Sequence, residues 1–197
     1  MIFERGHFSE NDIEKSVVND LLRESKNFSA GQRVPPTSSV FLSHKHEDLD
    51  DLRGVIGLLR SRGAKVYIDS MDNKMPSETT GDTARRIKEM IKFCDKFIFL
   101  ATAKAIESYW CNWELGIGDA FRYLHHLAII PLKETGEYDW EYEGNEYLQI
   151  YSRIDFEPRP FTDGRNGRIH PSGYYVEYPE DEDGITVVTR LTDWLKG

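Results

Sequence analysis

Hydrophobic and polar positions along the chain fall into two rhythms. Near the N-terminus Ile13, Val17, Leu21 and Leu22 recur at helical spacing, with charged residues between them. Ser9 precedes them as a candidate N-cap and Asp12 follows it by three, so the pattern predicts an amphipathic helix. Residues 29–39 are chain breakers and small polar residues and read as a linker. The chain therefore divides into an N-terminal helix and linker over 1–39 and a main domain over 40–197. The apolar face of that first helix must be covered, either by the main domain or by a partner.

From Val40 onward, short apolar runs alternate with amphipathic helices. Val40-Phe41-Leu42 predicts a strand, followed by the polar turn Ser43-His44-Lys45-His46-Glu47-Asp48. Leu49, Leu52, Val55, Ile56 and Leu59 mark a helix that Gly63 closes. Val66-Tyr67-Ile68 is the second strand, and a long polar loop runs from Asp69 to Asp82. Ala84, Ile87, Met90 and Ile91 mark the next helix, Phe97 to Leu100 the third strand, 107–125 another helix, and Leu127 to Ile130 the fourth strand. Strands that are apolar throughout signal a parallel sheet covered by helices on both faces. Such sheets bind ligands at the carboxyl ends of their strands. The turn 43–48, the loop 69–82 and the approach to the helix at 102–110 lie on that edge.

Beyond Lys133 the pattern is weaker. Tyr147 to Phe156 predicts a fifth short strand. Residues 157–184 are rich in Pro, Gly and acidic side chains and read as an insertion or lid, part of a loop insertion expected over about 134–184. A final helix is expected from near Ile185, burying Val188, Leu191, Trp194 and Leu195.

Composition narrows the function classes. The net charge is −9, with 25 basic residues scattered among 34 acidic ones. A protein that neutralises many phosphates gathers Lys and Arg on one face, so neither nucleic acid nor an anionic membrane is expected as a partner. The two cysteines, Cys94 and Cys111, form no CxxC pair and suit a reducing compartment. The first ten residues lack a signal-peptide pattern, and the longest apolar run, Leu127 to Leu132, is far too short to span a bilayer. A cytoplasmic location is the expectation. His44 and His46 form only an isolated i, i+2 pair in a turn, so no metal is expected. Gly116-x-Gly118 lies inside a helix and reads as packing rather than as part of a dinucleotide fingerprint.

The informative stretch is Ser108-Tyr109-Trp110-Cys111-Asn112-Trp113-Glu114-Leu115. On a helix, Trp110 and Glu114 stand one turn apart on the same face. A flat aromatic surface thus lies beside a carboxylate at the carboxyl edge of the sheet. That carboxylate can stabilise positive charge growing on a ribose ring while the indole borders a planar leaving group. Trp113 reads as a core aromatic and Cys111 as a small buried filler.

These residues resemble the TIR (Toll/interleukin-1 receptor) domain family. Val40-Phe41-Leu42-Ser43-His44 is similar to that family's first strand and Ser-His turn. The 69–82 loop, with Pro76 and Gly81-Asp82, is similar to its variable loop, and Trp110-Cys111-x-x-Glu114, flanked by Ser108 and Leu115, is the strongest match. The resemblance covers Val40 to about Leu132. It implies a flavodoxin-like five-stranded parallel sheet flanked by helices on both faces, here preceded by the N-terminal amphipathic helix.

In the bacterial NAD-cleaving members the resemblance also implies scission of the nicotinamide–ribose bond, giving ADP-ribose or a cyclic or modified isomer. Glu114 then stands at the position of the catalytic glutamate, with Ser43, His44, Lys45, Asp69 and Trp110 around the nucleotide. NAD is a substrate, and no cofactor is implied. The chain is similar to the short TIR proteins of bacterial antiviral defence (Thoeris-like). Self-association and a separate effector protein responding to the product are therefore expected. The chemistry suits a single carboxylate: glycosidases need a general acid for an alkoxide leaving group, whereas nicotinamide departs neutral from a cationic state. Two alternatives stand beside this reading, a non-catalytic TIR interaction module and an enzyme like the nucleoside deoxyribosyltransferases.

Overall fold

The computed structural model describes residues 2–11, 38–72, 74–76, 78–121, 124–137, 142, 144–163, 167–180 and 184–197. The expected amphipathic helix over 13–22 lies outside the described residues. The strands are β1 (Phe3–Glu4), β2 (Ser39–Ser43), β3 (Lys65–Tyr67), β4 (Lys96–Ala101), β5 (Leu127–Lys133), β6 (Ser152–Glu157), β7 (Phe161–Thr162), β8 (Ile169–His170), β9 (Gly173–Glu177) and β10 (Val188–Arg190). The helices are α1 (Leu49–Ser61), α2 (Gly81–Phe93), α3 (Ala103–Ile106), α4 (Tyr109–Phe121) and α5 (Leu191–Lys196).

Five strands run parallel in the spatial order β3-β2-β4-β5-β6, the flavodoxin-like arrangement expected from the alternating pattern. Strand side chains alternate between two cores. Val40, Leu42, Ile98, Leu100, Ala128 and Ile130 meet α1 and α5, while Phe41, Phe97, Phe99, Leu127 and Ile129 meet α2, α3 and α4. Both faces are thereby covered, which is why the central strands β2, β4 and β5 are apolar along most of their length. No helix among the described residues is long and apolar enough to cross a membrane.

The sheet is larger than the sequence pattern predicts. Strand β9 pairs antiparallel with β6, β10 pairs antiparallel with β9, and β1 adds parallel to the end of β5, giving eight strands. Part of the stretch that reads as a lid is therefore sheet, because Tyr175 and Val176 are buried against β6 despite the Pro- and Gly-rich flanks. The final helix begins at Leu191 rather than near Ile185, and Val188 belongs to β10. Leu191, Trp194 and Leu195 are buried as expected.

The N-terminal residues 2–11 are built into the main core. Phe3 and Phe8 are essentially without solvent contact, and each such burial stabilises by roughly 1.5–3 kcal/mol. Phe8 also lies directly on α1, where a Cβ at Gly54 would meet its carbonyl oxygen at 2.3 Å. Gly118 has the packing role that the sequence suggests, with the Phe97 ring 2.9 Å from where a Cβ would stand, whereas Gly116 faces open space.

Candidate active site

In a sheet ordered this way the chain leaves β2 toward β3 on one side and returns to β4 on the other. The crevice at the carboxyl ends of β2 and β4 is the topological switch point, the usual ligand position in such folds. Four side chains converge there. Ser43 is the last residue of β2, His44 follows it, Asp69 follows β3, and Glu114 stands on α4.

The helix that carries Glu114 is shorter than the 107–125 expected from sequence. It starts after a break at Ser108, whose carbonyl accepts the Asn112 amide at 3.0 Å. Asn112 Nδ2 returns to the carbonyls of Ile106 at 2.6 Å and Ser108 at 3.0 Å, which fixes the angle between α3 and α4. Cys111 and Leu115 then face the core, and Glu114 is drawn inward beside them to 4% exposure.

Glu114 does not point into solvent. The Ser43 hydroxyl donates to its Oε2 at 2.6 Å, joining the end of β2 to α4. Burial pushes the Glu114 carboxyl up to about 8, the neighbouring Asp69 carboxylate adds to that push, and the Ser43 hydrogen bond offsets only part of it. Among the described residues, no cationic side chain is one of the groups that act on it. A carboxylate so placed favours any incoming positive charge.

His44 contacts the carbonyl of Leu42 through Nδ1 at 3.3 Å and the Ser70 hydroxyl through Nε2 at 3.2 Å. Its Nδ1 also lies 3.9 Å from Asp69. Burial lowers its pKa despite the Asp69 charge, so the imidazole is neutral near pH 7. Among the described residues, no group of three or more His, Cys, Asp or Glu is set to hold a metal ion. Cys111 donates its thiol hydrogen to the His44 carbonyl at 3.4 Å, and burial pushes that thiol up to about 11. It braces the turn as a thiol and is not an activated nucleophile.

The remaining expected residues lie on the same turn and helix. Trp110 occupies the preceding turn of α4, is partly exposed, and meets Trp113 edge-on with ring centroids 5.3 Å apart. Trp113 packs against the core beneath, the role its sequence position suggests. Tyr109 beside them is 94% exposed. Lys45 is half-buried in the turn, and Asp69 keeps partial solvent access. The 69–82 loop is anchored by Asp72, which accepts from Tyr67 Oη at 2.7 Å and from Arg86 Nε at 2.9 Å.

Sequence reasoning missed one neighbouring cluster. Asp48 and Asp51 are buried carboxylates bound by Arg5, a residue 43 positions upstream of Asp48. A lone Arg near a terminus carries no motif, and the only available sign was the acidic run Asp48, Asp50, Asp51 at the start of α1. A separate concavity of about 580 Å³ opens over β5 and β6, lined by Tyr142, Tyr151, Arg153 and Glu177 among others, and Glu114 is not part of its wall.

Comparison with known proteins bears on the fold that carries this site. A family described as the TIR domain matches residues 40–167, which contain all four converging side chains. The chain is also 29% identical over 150 residues to a probable 3′ cyclic ADP-D-ribose synthase, ThsB′, of Bacillus cereus (strain MSX-D12). That match covers 75% of this chain and 72% of the relative.

Proposed function

The chain belongs to the TIR domain family, and from that premise we propose that it breaks the nicotinamide–ribose bond of NAD with Glu114 as the catalytic carboxylate. The observation that carries this reading is a nearly fully buried glutamate at the switch point with a hydroxyl and an acid for neighbours and, among the described residues, no cation acting on it. Such a group is costly in the empty protein and is relieved by a cationic ligand. The nicotinamide riboside portion of NAD brings that positive charge.

In the reaction the C1′–N bond of NAD breaks and its electron pair passes to the pyridine nitrogen, so nicotinamide leaves neutral without needing a proton. Positive charge moves to the ribose ring, where the ionised Glu114 stabilises it in a water-poor setting. Ser43 holds the carboxylate in place, and Trp110 offers a flat apolar surface for the departing ring. Water attacking C1′ and losing a proton gives ADP-ribose. A hydroxyl of the same molecule attacking and losing its proton gives a cyclic product. The relative's name, a probable 3′ cyclic ADP-D-ribose synthase, supports the second outcome; that the product signals to a separate effector in antiphage defence is part of the same proposal. Self-association through TIR surfaces is part of the same reading.

The test is nicotinamide release from NAD by the concentrated protein beside Glu114→Gln, with the nucleotide product identified by mass spectrometry. Glu114→Gln is expected to lose roughly 10²–10³-fold or more in kcat, the scale of removing a preorganised charge from such a site. Equal release by both proteins removes Glu114 from the chemistry. Self-association unaffected by NAD, with no product under any condition, favours a non-catalytic interaction module.

A further inference from the structure

We propose that Arg5, which lies outside the region matched by the family, is a positioning residue that holds together the two loops of the active site. Its guanidinium uses all three nitrogens on carboxylates: Nη2 to Asp48 Oδ1 at 2.7 Å, Nη1 to Asp51 Oδ2 at 2.7 Å and Nε to Glu134 Oε1 at 2.6 Å. The backbone around it is fastened as well. The Arg5 amide donates to the Lys133 carbonyl at 2.9 Å and the Gly6 amide to Asp51 Oδ1 at 2.8 Å.

Asp48 is the pivot. Its amide donates to the Lys45 carbonyl at 2.9 Å, closing the turn that begins with Ser43 and His44. Its second oxygen, Oδ2, accepts the Thr102 hydroxyl at 2.7 Å, and Thr102 Oγ1 in turn accepts the Ala105 amide at 3.1 Å to start α3. The one cation therefore links the carboxyl ends of β2, β4 and β5 and the start of α1. Asp48 is 1% exposed, so without Arg5 it is left as a buried charge with a single hydroxyl partner. The turn and the α3 loop can then separate, and Ser43 loses its fixed approach to Glu114.

A planar fork is required here. Lysine supplies one point charge and cannot satisfy three carboxylates set around a guanidinium plane. The anchorage of residues 2–11 through Phe3, Phe8 and the Gly54 notch keeps that fork in register.

The test compares the full chain with Arg5→Ala and Arg5→Lys, each with and without low concentrations of guanidinium ion. Two readouts are taken: hydrogen exchange of the amides over 43–48 and 102–106, and kcat and KM for nicotinamide release. The activity arm rests on the NAD-cleaving reading; the exchange arm does not. Arg5→Ala is expected to lose protection in both loops and at least about tenfold in kcat, with a smaller change in KM. Guanidinium is expected to restore both in Arg5→Ala, and Arg5→Lys to fall between. Unchanged exchange in both loops, or wild-type kcat, in Arg5→Ala overturns the proposal. If that variant does not fold, wild-type exchange in Arg5→Lys overturns it equally. A wild-type chain that releases no nicotinamide but shows the exchange differences defeats the NAD-cleaving reading and leaves the role of Arg5 standing.

Discussion

The turn that follows β2 has a buried carboxylate at each end, and the two are treated in opposite ways. Beside Asp48 stand a guanidinium at 2.7 Å and a hydroxyl at 2.7 Å. Beside Glu114 stand a hydroxyl at 2.6 Å and, instead of a cation, another acid whose charge opposes its own. Burial is almost equal, at 1% and 4% exposure, so partners and not solvent make the difference. A compensated carboxylate holds loops together. An uncompensated one stores unfavourable electrostatics that a cationic ligand can relieve, and for that reason Glu114 and not Asp48 is the candidate for chemistry.

The contrast can be broken first at its compensated end. Arg5→Ala leaves Asp48 and Asp51 buried without their cation, and a loss of about 3–5 kcal/mol in unfolding free energy is expected from denaturant titration. A loss below about 1 kcal/mol would place this cluster with ordinary surface ion pairs.

At the other end the sign reverses. The folded Glu114 keeps its proton up to about 8, whereas the unfolded chain releases it near 4.5. Between those values the native state binds more protons, so Glu114 costs stability increasingly as pH rises and costs most above pH 8. Glu114→Gln is therefore expected to be more stable than wild type above pH 8, by up to a few kcal/mol, and indistinguishable below pH 4. Thermal melts across about pH 3–9 measure it. A destabilised Gln variant at high pH contradicts the strain assigned to this site.

The smallest effect sharpens the comparison. Ser43→Ala removes the one hydrogen bond that favours the ionised Glu114, so its pKa rises further. Activity at pH 7 is expected to fall by about tenfold, the worth of one hydrogen bond to a charged group. The rise of kcat/KM with pH is expected to move to higher pH than in wild type, and an unshifted profile denies Ser43 its role.

Much of this site was legible in the chain. The alternation of apolar runs with amphipathic helices specifies the parallel sheet, because strands covered on both faces are apolar along most of their length. The spacing from Trp110 to Glu114 places both on one side of a helix, and Ser43 and Asp69 each end or follow a strand. What stayed hidden depends on contacts distant in sequence. Arg5 meets Asp48, Asp51 and Glu134 across 43, 46 and 129 positions, and no local pattern announces such a cluster. Strand β9 lay within a stretch whose prolines, glycines and acids suggest a loop, and only its pairing with β6 makes Tyr175 and Val176 core residues. The break at Ser108 was missed because the apolar periodicity of α4 continues through its neighbours.

The central claim is that the carboxyl of Glu114 is buried with no cation among the described residues to balance it. Carbon-13 labelling of glutamate side chains, with Glu114→Gln to assign the signal, allows this carboxyl to be titrated by NMR in the free protein. A midpoint near 8 that falls when a cationic NAD analogue binds is the predicted result. Titration in the ordinary range near 4.5, unmoved by the analogue, would contradict it.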